Sequence, residues 1–269
     1  MKVGTFKVEA HGTILGNRLM ALLLHKFIEQ KYDACYVTMY DSLGYLQRLF
    51  EKYGFRKFGK RVDTGEVVLI RDKTVLGSNS LNYPRFNLSG SKYLIGIYPK
   101  FHTRLFPDSR LKTESKFQTE DVSETNSIEK TYLTNMSQAA ELKIGDKLVI
   151  YRTAETQPAE WSAVATSICT VTECKDISRF SSLDEFVSFV TKQSIFSDEE
   201  LRTLWVNRRY PTIIKFQYNV AFPHRIVRHD LIEKCGIDRN EYAGFMSLSE
   251  ETFKKVLAEG QVDESYVID

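Results

Sequence analysis

The hydrophobic pattern changes character along the chain. At the start, GTFKVEA (residues 4–10) alternates apolar and polar positions as a strand does. Gly12 and Gly16 then bracket a turn, HGTILGNR. From Asn17 onward Leu19, Leu22, Leu23 and Phe27 recur at helical spacing, with Leu24 and Ile28 widening the stripe, which predicts a helix ending near Lys31. DACYVTMY is rich in β-branched and aromatic residues and predicts a strand. A second amphipathic helix carries Leu43, Leu46, Leu49 and Phe50 and ends at Tyr53 before Gly54, a natural C-terminal stop. GEVVLIRD closes the series as a short strand. Strand, glycine turn, helix, strand, helix, strand is the order of an α/β unit.

Further on, KYLIGIYP predicts a strand ended by Pro99, and FHTRLFPD a compact aromatic loop. Between Ser109 and Ser127 the chain turns polar, with only Leu111, Phe117 and Val122 as large apolar residues, which marks the expected domain boundary. Beyond it strands dominate. IEKTYL and KLVIYR are short strands on either side of the turn-forming Gly145-Asp146, WSAVATSICTVTEC is a long β-rich run, and PTIIKFQYNV is another strand. Ser182 with Glu185 and Ser197 with Glu200 are capping boxes that open two helices. A helix from about Arg228 to Cys235 stops at Gly236, and Ser247 with Glu250 starts a last helix through Leu257. The expected division is residues 1–72, a connector over 73–127, and a second domain over 128–269.

Composition narrows the classes. A chain of 269 residues suffices for two ordinary domains. No apolar run approaches the roughly 20 residues that span a bilayer, and the N-terminus lacks the apolar stretch of a secretion signal, so a cytosolic protein without membrane contact is expected. The four cysteines form no CxxC pair and the five histidines are scattered, so no metal site is expected; Cys35 reads as a buried apolar residue. A net charge of +2 is too small to indicate nucleic acid, so any such case rests on local clusters.

The first such chemistry is at the glycine turn. A tight turn entering a helix presents backbone N–H groups to an anion, helped by the helix dipole, although many strand-turn-helix units with two glycines bind nothing. As an ordered set, residues 1–72 resemble the coenzyme-A-binding half of the GNAT N-acetyltransferases. His11 stands where that family's pyrophosphate loop has Arg or Gln, Ile14 at its first Gly and Gly16 at its second; FEKYGFRKFG and EVVLIRD resemble its Tyr-x-x-x-Gly-Phe phrase and closing strand. The resemblance implies acetyl-CoA held by His11, Gly12, Ile14, Leu15, Gly16, Asn17 and Arg18. Phe50 occupies the position of the tyrosine that protonates the departing thiolate in many members, and it has no titratable group. Tyr45 and Tyr53 face other directions on the helix. The front half of the family's fold is unmatched, so a partner chain or an upstream segment is expected to complete it, unless the domain is a remnant.

Residues 128–258 resemble the PUA-like superfamily of ASCH and EVE domains, through IEKTYL, LKIGDKLVIYR, WSAVATSICTVTE and TIIKFQYNVAFP, without a complete ASCH motif Gly-x-Lys-x-x-x-x-Arg. The expected fold class is thus α+β, a partial GNAT α/β fold followed by a PUA-like β-barrel domain with inserted helices. A pocket for nucleic acid needs cations for phosphate and aromatic faces for an unstacked base. Lys130, Tyr132, Tyr151 and Arg152 supply both on two strands expected to be adjacent, and Lys147 extends that face. Arg208 and Arg209 with Tyr210 form a second cluster, or a solvated turn. Trp161 either stacks a base or joins the core. His224, Arg225, Arg228 and His229 are phosphate contacts or a polar loop and helix cap, and His102 and Arg104 are catalytic or structural. Three readings follow: an acetyl-CoA-binding module directed to RNA and acetylating an associated amine; a non-catalytic nucleic-acid-binding or regulatory protein; or an enzyme acting on small amines.

Overall fold

The computed structural model describes residues 1–4, 6, 15–74, 77, 79–106, 109 and 127–268, and for residue 192 the backbone only. The protein is α+β and divides into two compact units, residues 1–88 with 263–269, and residues 89–262. The sequence places the boundary at 109–127. The division falls earlier because the strand at 92–97, expected in a connector, pairs in parallel with the strand at 147–152.

In the first unit, β1 (Lys2–Val3), β2 (Ala34–Met39), β3 (Arg56–Lys60) and β4 (Val67–Asp72) form a sheet of order β1-β2-β4-β3. β1 and β2 run parallel, with Lys2 opposite Tyr36, and the chain between them includes helix α1 (Leu15–Glu29). The expected strand at 4–10 lies almost wholly outside the described residues, as do His11, Gly12 and Ile14. The buried stripe of α1 is Met20, Ala21, Leu24, Phe27 and Ile28, and Leu22 is half exposed. The Leu-rich run supports two apolar stripes at helical spacing, and the one centred on Met20, Leu24 and Phe27 is the one covered. Helix α2 (Gly44–Lys52) ends as expected, with Gly54 at φ +83°. It buries Phe50 edge-on against Phe55, at 4.8 Å between ring centroids. β3 was not apparent in the sequence because all five of its residues are exposed and no apolar alternation betrays it. A short helix α3 (Asn79–Asn82) and β5 (Phe86–Asn87) follow, and the C-terminal strand Val267–Ile268 pairs in parallel with β5.

One buried cation holds this unit's loops. Arg71 is 1% exposed and donates to the carbonyl oxygens of Tyr53 (2.9 Å) and Tyr83 (2.7 Å). Burial, with Arg85 nearby, lowers its pKa to about 10.

The second unit is built on a six-stranded sheet of order β11-β6-β8-β9-β10-β7. Its strands are β6 (Lys92–Ile97), β7 (Glu129–Thr134), β8 (Lys147–Arg152), β9 (Val164–Asp176), β10 (Thr212–Val227) and β11 (Phe245–Leu248). Among the described residues β11 and β7 are the two ends of this order and do not pair with each other, so the sheet is not a closed barrel. β9 and β10 are its longest strands, and register shifts near Lys215, Tyr218 and Ala221 interrupt their ladder; such bulges bend and twist a strand. The continuous burial of residues 164–171 explains why this run lacks the alternation of a one-sided strand.

FHTRLFPD is not a loop at its start: Pro99–Leu105 is a helix, α4, with Pro99 in its first turn. It delivers Leu105 and then Phe106 to the core, where Phe106 stacks on Phe216 at 6.0 Å. The short helix α5 (Ala159–Ser162) precedes β9. Helices α6 (Leu183–Val190) and α7 (Asp198–Asn207) start where the serines predict. Ser197 and Glu200 make the full reciprocal box, whereas Glu185 accepts from Ser181 rather than Ser182. Helix α8 (Arg228–Glu233) follows β10 directly, so His224 and Arg225 are strand residues and not loop residues. The last helix, α9 (Glu250–Glu259), is capped by Ser249 instead of Ser247, which lies in β11.

Replacing Arg71 by Leu is expected to destabilise the chain by about 2–4 kcal/mol, since two buried carbonyls lose their donor. Arg56→Leu, which breaks an exposed pair with Asp72, is expected to cost under about 1 kcal/mol. Urea denaturation of both variants reads the difference directly.

Candidate nucleic-acid interface

The second unit contains a cleft of about 330 Å³. One part of its lining is aromatic: Tyr98, Phe101, Tyr132, Tyr151, Tyr210 and Tyr242. Another is made of residues with little or no side chain: Gly96, Ala154, Ala159, Ala163, Ala243 and Gly244. The cleft is thus lined by broad rings together with residues that occupy little space.

Local sequence explains how the rings arrive there. Tyr98 sits between the end of β6 and Pro99, in the extended conformation that a residue before proline favours, and is 60% exposed. Phe101 follows one turn later on α4, 6.4 Å from the Tyr132 ring of β7. Tyr242 comes from the turn before β11 and is also largely exposed. Burial pushes the Tyr132 phenol well above the ordinary range, and the phenols of Tyr210, Tyr98 and Tyr242 add to that effect.

Besides the phenols, Thr134, Asn135, Thr153 and Arg228 bring polar side chains to the lining. Tyr151 is 2% exposed, and its Oη is out of solvent beside the Arg228 guanidinium. Thr153 Oγ1 is out of solvent with no hydrogen-bond partner. Burial raises the Tyr151 phenol while the neighbouring Arg228 guanidinium pulls it back. Arg228 lines the cleft from the start of α8 and donates Nη2 to the carbonyl of Arg239 at 3.0 Å.

The predicted residues are distributed differently from the expectation. Tyr132 and Tyr151 do meet at the cleft, but β7 and β8 are separated in the sheet by β10 and β9, so they do not form one face of adjacent strands. Lys130, Lys147 and Arg152 are buried. Lys147 donates to the carbonyls of Ser89 (2.9 Å) and Gly145, and burial lowers its pKa to about 8. Arg152 pairs with Glu155 at 2.5 Å. Arg208 has left-handed backbone at the end of α7, with its guanidinium 3.8 Å from the Trp205 ring centroid, and Arg209 lies over Tyr210 at 5.4 Å. Neither arginine lines the cleft, although Tyr210 does. Trp161 is 58% exposed on α5 and stacks on His229 at 4.3 Å, so it is not core. His229 also contacts Glu160 at 2.9 Å.

His102 is fully buried on α4, with Nε2 2.9 Å from Thr166 Oγ1 and Nδ1 without a partner. Burial, with Arg152 and Arg225, lowers its pKa to about 3. It is not among the cleft residues. The sequence reading missed Tyr98, Phe101, Thr153 and Tyr242. Two of these carried a signal, Tyr98 as an aromatic directly before a helix-opening Pro and Tyr242 as an aromatic in the polar turn Asn240 to Gly244.

In the first unit, Leu15, Gly16, Asn17 and Arg18 form the first turn of α1, which contains no acidic residue. A Cβ on Gly16 would meet Leu49 at 3.3 Å, so α1 packs closely on α2 there. Phe50 is buried, and Tyr45 is exposed. Among the described residues no cluster of His, Cys, Asp or Glu could hold a metal, and no helix is long and apolar enough to cross a membrane.

No protein-family model and no curated protein sequence matches the chain. It is similar in structure to ASCH from Zymomonas mobilis, with a TM-score of 0.39 and 10% identity over 62% of this chain and 94% of that one. It is likewise similar to a hypothetical protein from Leishmania major, with a TM-score of 0.36 and 13% identity over 64% of this chain and 96% of that one. At these scores neither similarity assigns a residue or an activity to this chain.

His102 generates a pH dependence. Its folded pKa of about 3 lies below the ordinary 6.5, so the unfolded chain binds the proton first on acidification. Stability is therefore expected to be undiminished by this group above pH 6.5 and to fall by up to about 1.4 kcal/mol per pH unit below it, towards pH 3. A His102→Gln variant, compared by denaturation at pH 7 and pH 5, is expected to lose that part of the slope.

Proposed function

We propose that the second unit binds single-stranded nucleic acid, RNA first among candidates, by taking one unstacked base into the tyrosine-lined cleft. The observation that carries this reading is the cleft itself: six aromatic side chains around about 330 Å³, with Arg228 among the lining residues. Stacking on aromatic faces supplies roughly 1–3 kcal/mol per base and suits any π-face, and single-stranded segments are where RNA exposes its bases. Such a domain needs no catalytic residue, which agrees with the non-catalytic reading of the sequence. An unlabelled chain titrated into a fluorescent single-stranded RNA tests it by anisotropy. Tyr98→Ala and Tyr242→Ala, both at exposed rings, are expected to weaken binding about tenfold each. Lys130→Met is expected to leave affinity unchanged, because Lys130 is buried. Affinity that ignores both tyrosines and follows Lys130 would sink the cleft.

A second reading attaches to the first unit, as an acetyl-CoA-binding module derived from a GNAT-type acetyltransferase. It is supported by the parallel β1–β2 pair with α1 between them and by a first helical turn free of carboxylates. Residues 14–19 would hold the pyrophosphate through backbone amides, and the cofactor would supply an activated acetyl group. Phe50 provides no acid in this arrangement. Isothermal titration with acetyl-CoA is expected to show saturable binding that Gly16→Trp abolishes; a flat titration with the wild-type chain removes the reading.

A further inference from the structure

Trp161 belongs neither to the core nor to the lining of the cleft, and it is 58% exposed. The chain's other tryptophan, Trp205, packs against the core. An indole left in water forgoes one of the largest burial gains open to a side chain. This one is nevertheless held in place. His229 stacks on it, with ring centroids 4.3 Å and planes 22° apart. His229 is fixed in turn, its Nδ1 2.9 Å from Glu160 Oε1. Glu160 accepts from Arg239 at 2.8 Å, and Arg239 donates also to Glu233 at 2.8 Å. One face of the indole is therefore covered, and the area that remains open belongs to its other face and its edges.

The stacked pair is tied to the cleft by short stretches of chain. Ala159 and Ala163, two residues to either side of Trp161, line the cleft, as does Arg228, the residue before His229. Successive Cα atoms lie about 3.8 Å apart, so the backbone bearing the pair runs within about 7 Å of lining residues. On a helical turn, positions 159 and 163 share a side and 161 projects away from them. Trp161 thus flanks the cleft from outside, and a base held inside is out of its reach. The group it can meet is a neighbour of that base on the same strand, since successive nucleotides of an extended strand are separated by a comparable distance.

The surroundings of the ring favour such a partner. Glu160, Glu233 and Arg239 are polar and largely committed to one another, so no apolar groove encloses an aliphatic side chain and little charge is left for a phosphate. A flat open π-face with a rigid backing suits a second flat π-system, at little ordering cost. We propose that Trp161, backed by His229, is a second stacking station that takes the base next to the one in the cleft, so that the site holds two consecutive nucleotides. This rests on the nucleic-acid reading above and adds the length of strand that the site engages.

Two labelled RNAs separate the stations by anisotropy: an octamer of uridine, and the same octamer with a single uracil and abasic sugars elsewhere. Trp161→Ala is expected to weaken the full octamer roughly tenfold and to leave the single-base octamer within about twofold. Trp161→Phe, which keeps a ring, is expected to retain most of the affinity. Tyr98→Ala is expected to weaken both RNAs. In a Trp205→Phe variant, where Trp161 is the sole tryptophan, the full octamer is expected to quench the emission and the single-base octamer to leave it nearly unchanged. A Trp161→Ala variant that binds the full octamer as the wild type does, or loses affinity equally for both RNAs, overturns the second station while the Tyr98 effect keeps the cleft. Binding of neither RNA overturns both readings.

Discussion

Two backbones meet at Gly96 and Gly244, and the cleft depends on how closely they do so. The Gly96 N–H donates to the Gly244 carbonyl at 2.7 Å, and a Cβ on Gly96 would lie 2.9 Å from the Ala243 oxygen. At Gly244 a Cβ would fall inside the Tyr242 ring, 2.2 Å from its nearest carbon. Neither position tolerates a side chain without movement of main chain or ring. The contact fastens the turn before β11 onto β6, lays Tyr242 at the cleft mouth and leaves a bare backbone patch beside it. Tyr98 and Phe101 follow the end of β6, two and five residues beyond Gly96, so this close approach lies beside several of the rings.

The rest of the second unit is arranged to keep that corner rigid while spending its cations internally. Lys147 holds the Ser89 and Gly145 carbonyls at the start of β8, and Asp146 accepts from the backbone of Ser91 and Lys143 in the same turn. Lys92 pairs with Glu250 at the start of α9. These lysines are structural, which is why the sequence's cationic residues and its binding residues are largely different sets. Residue type signals charge, but only burial tells whether a charge faces solvent or a carbonyl.

That distinction sets how far the sequence could be read. Periodicity found α1, α2, β2, β4 and most strands of the second unit, because each buries one coherent stripe or a continuous run. On α1 it named Leu24, Phe27 and Ile28, which are buried, together with Leu19, Leu22 and Leu23, which are not, and omitted Met20, since a helix rich in leucine offers more than one stripe. It missed β3, whose residues are all exposed, and took α4 for a loop, because seven residues opened by Pro carry too few turns to show a period. At the site, Tyr132, Tyr151 and Tyr210 were singled out from basic-aromatic clustering and Arg228 from the His-Arg run at 224–229, and all four line the cleft. Their grouping was not legible. It depends on strand order, where β9 and β10 intervene between β7 and β8, and on a glycine contact between segments about 150 residues apart in sequence.

The scarcity of free charge also decides what kind of binding the cleft can support. Arg228 is the only charged residue among the described residues that line it, and the chain as a whole carries a net +2. Interfaces that gain affinity from phosphates do so by releasing counterions, each neutralised phosphate steepening the salt dependence. One arginine gives a shallow slope at most. On the proposed reading, affinity in this cleft follows the base through stacking area more than the backbone of the nucleic acid.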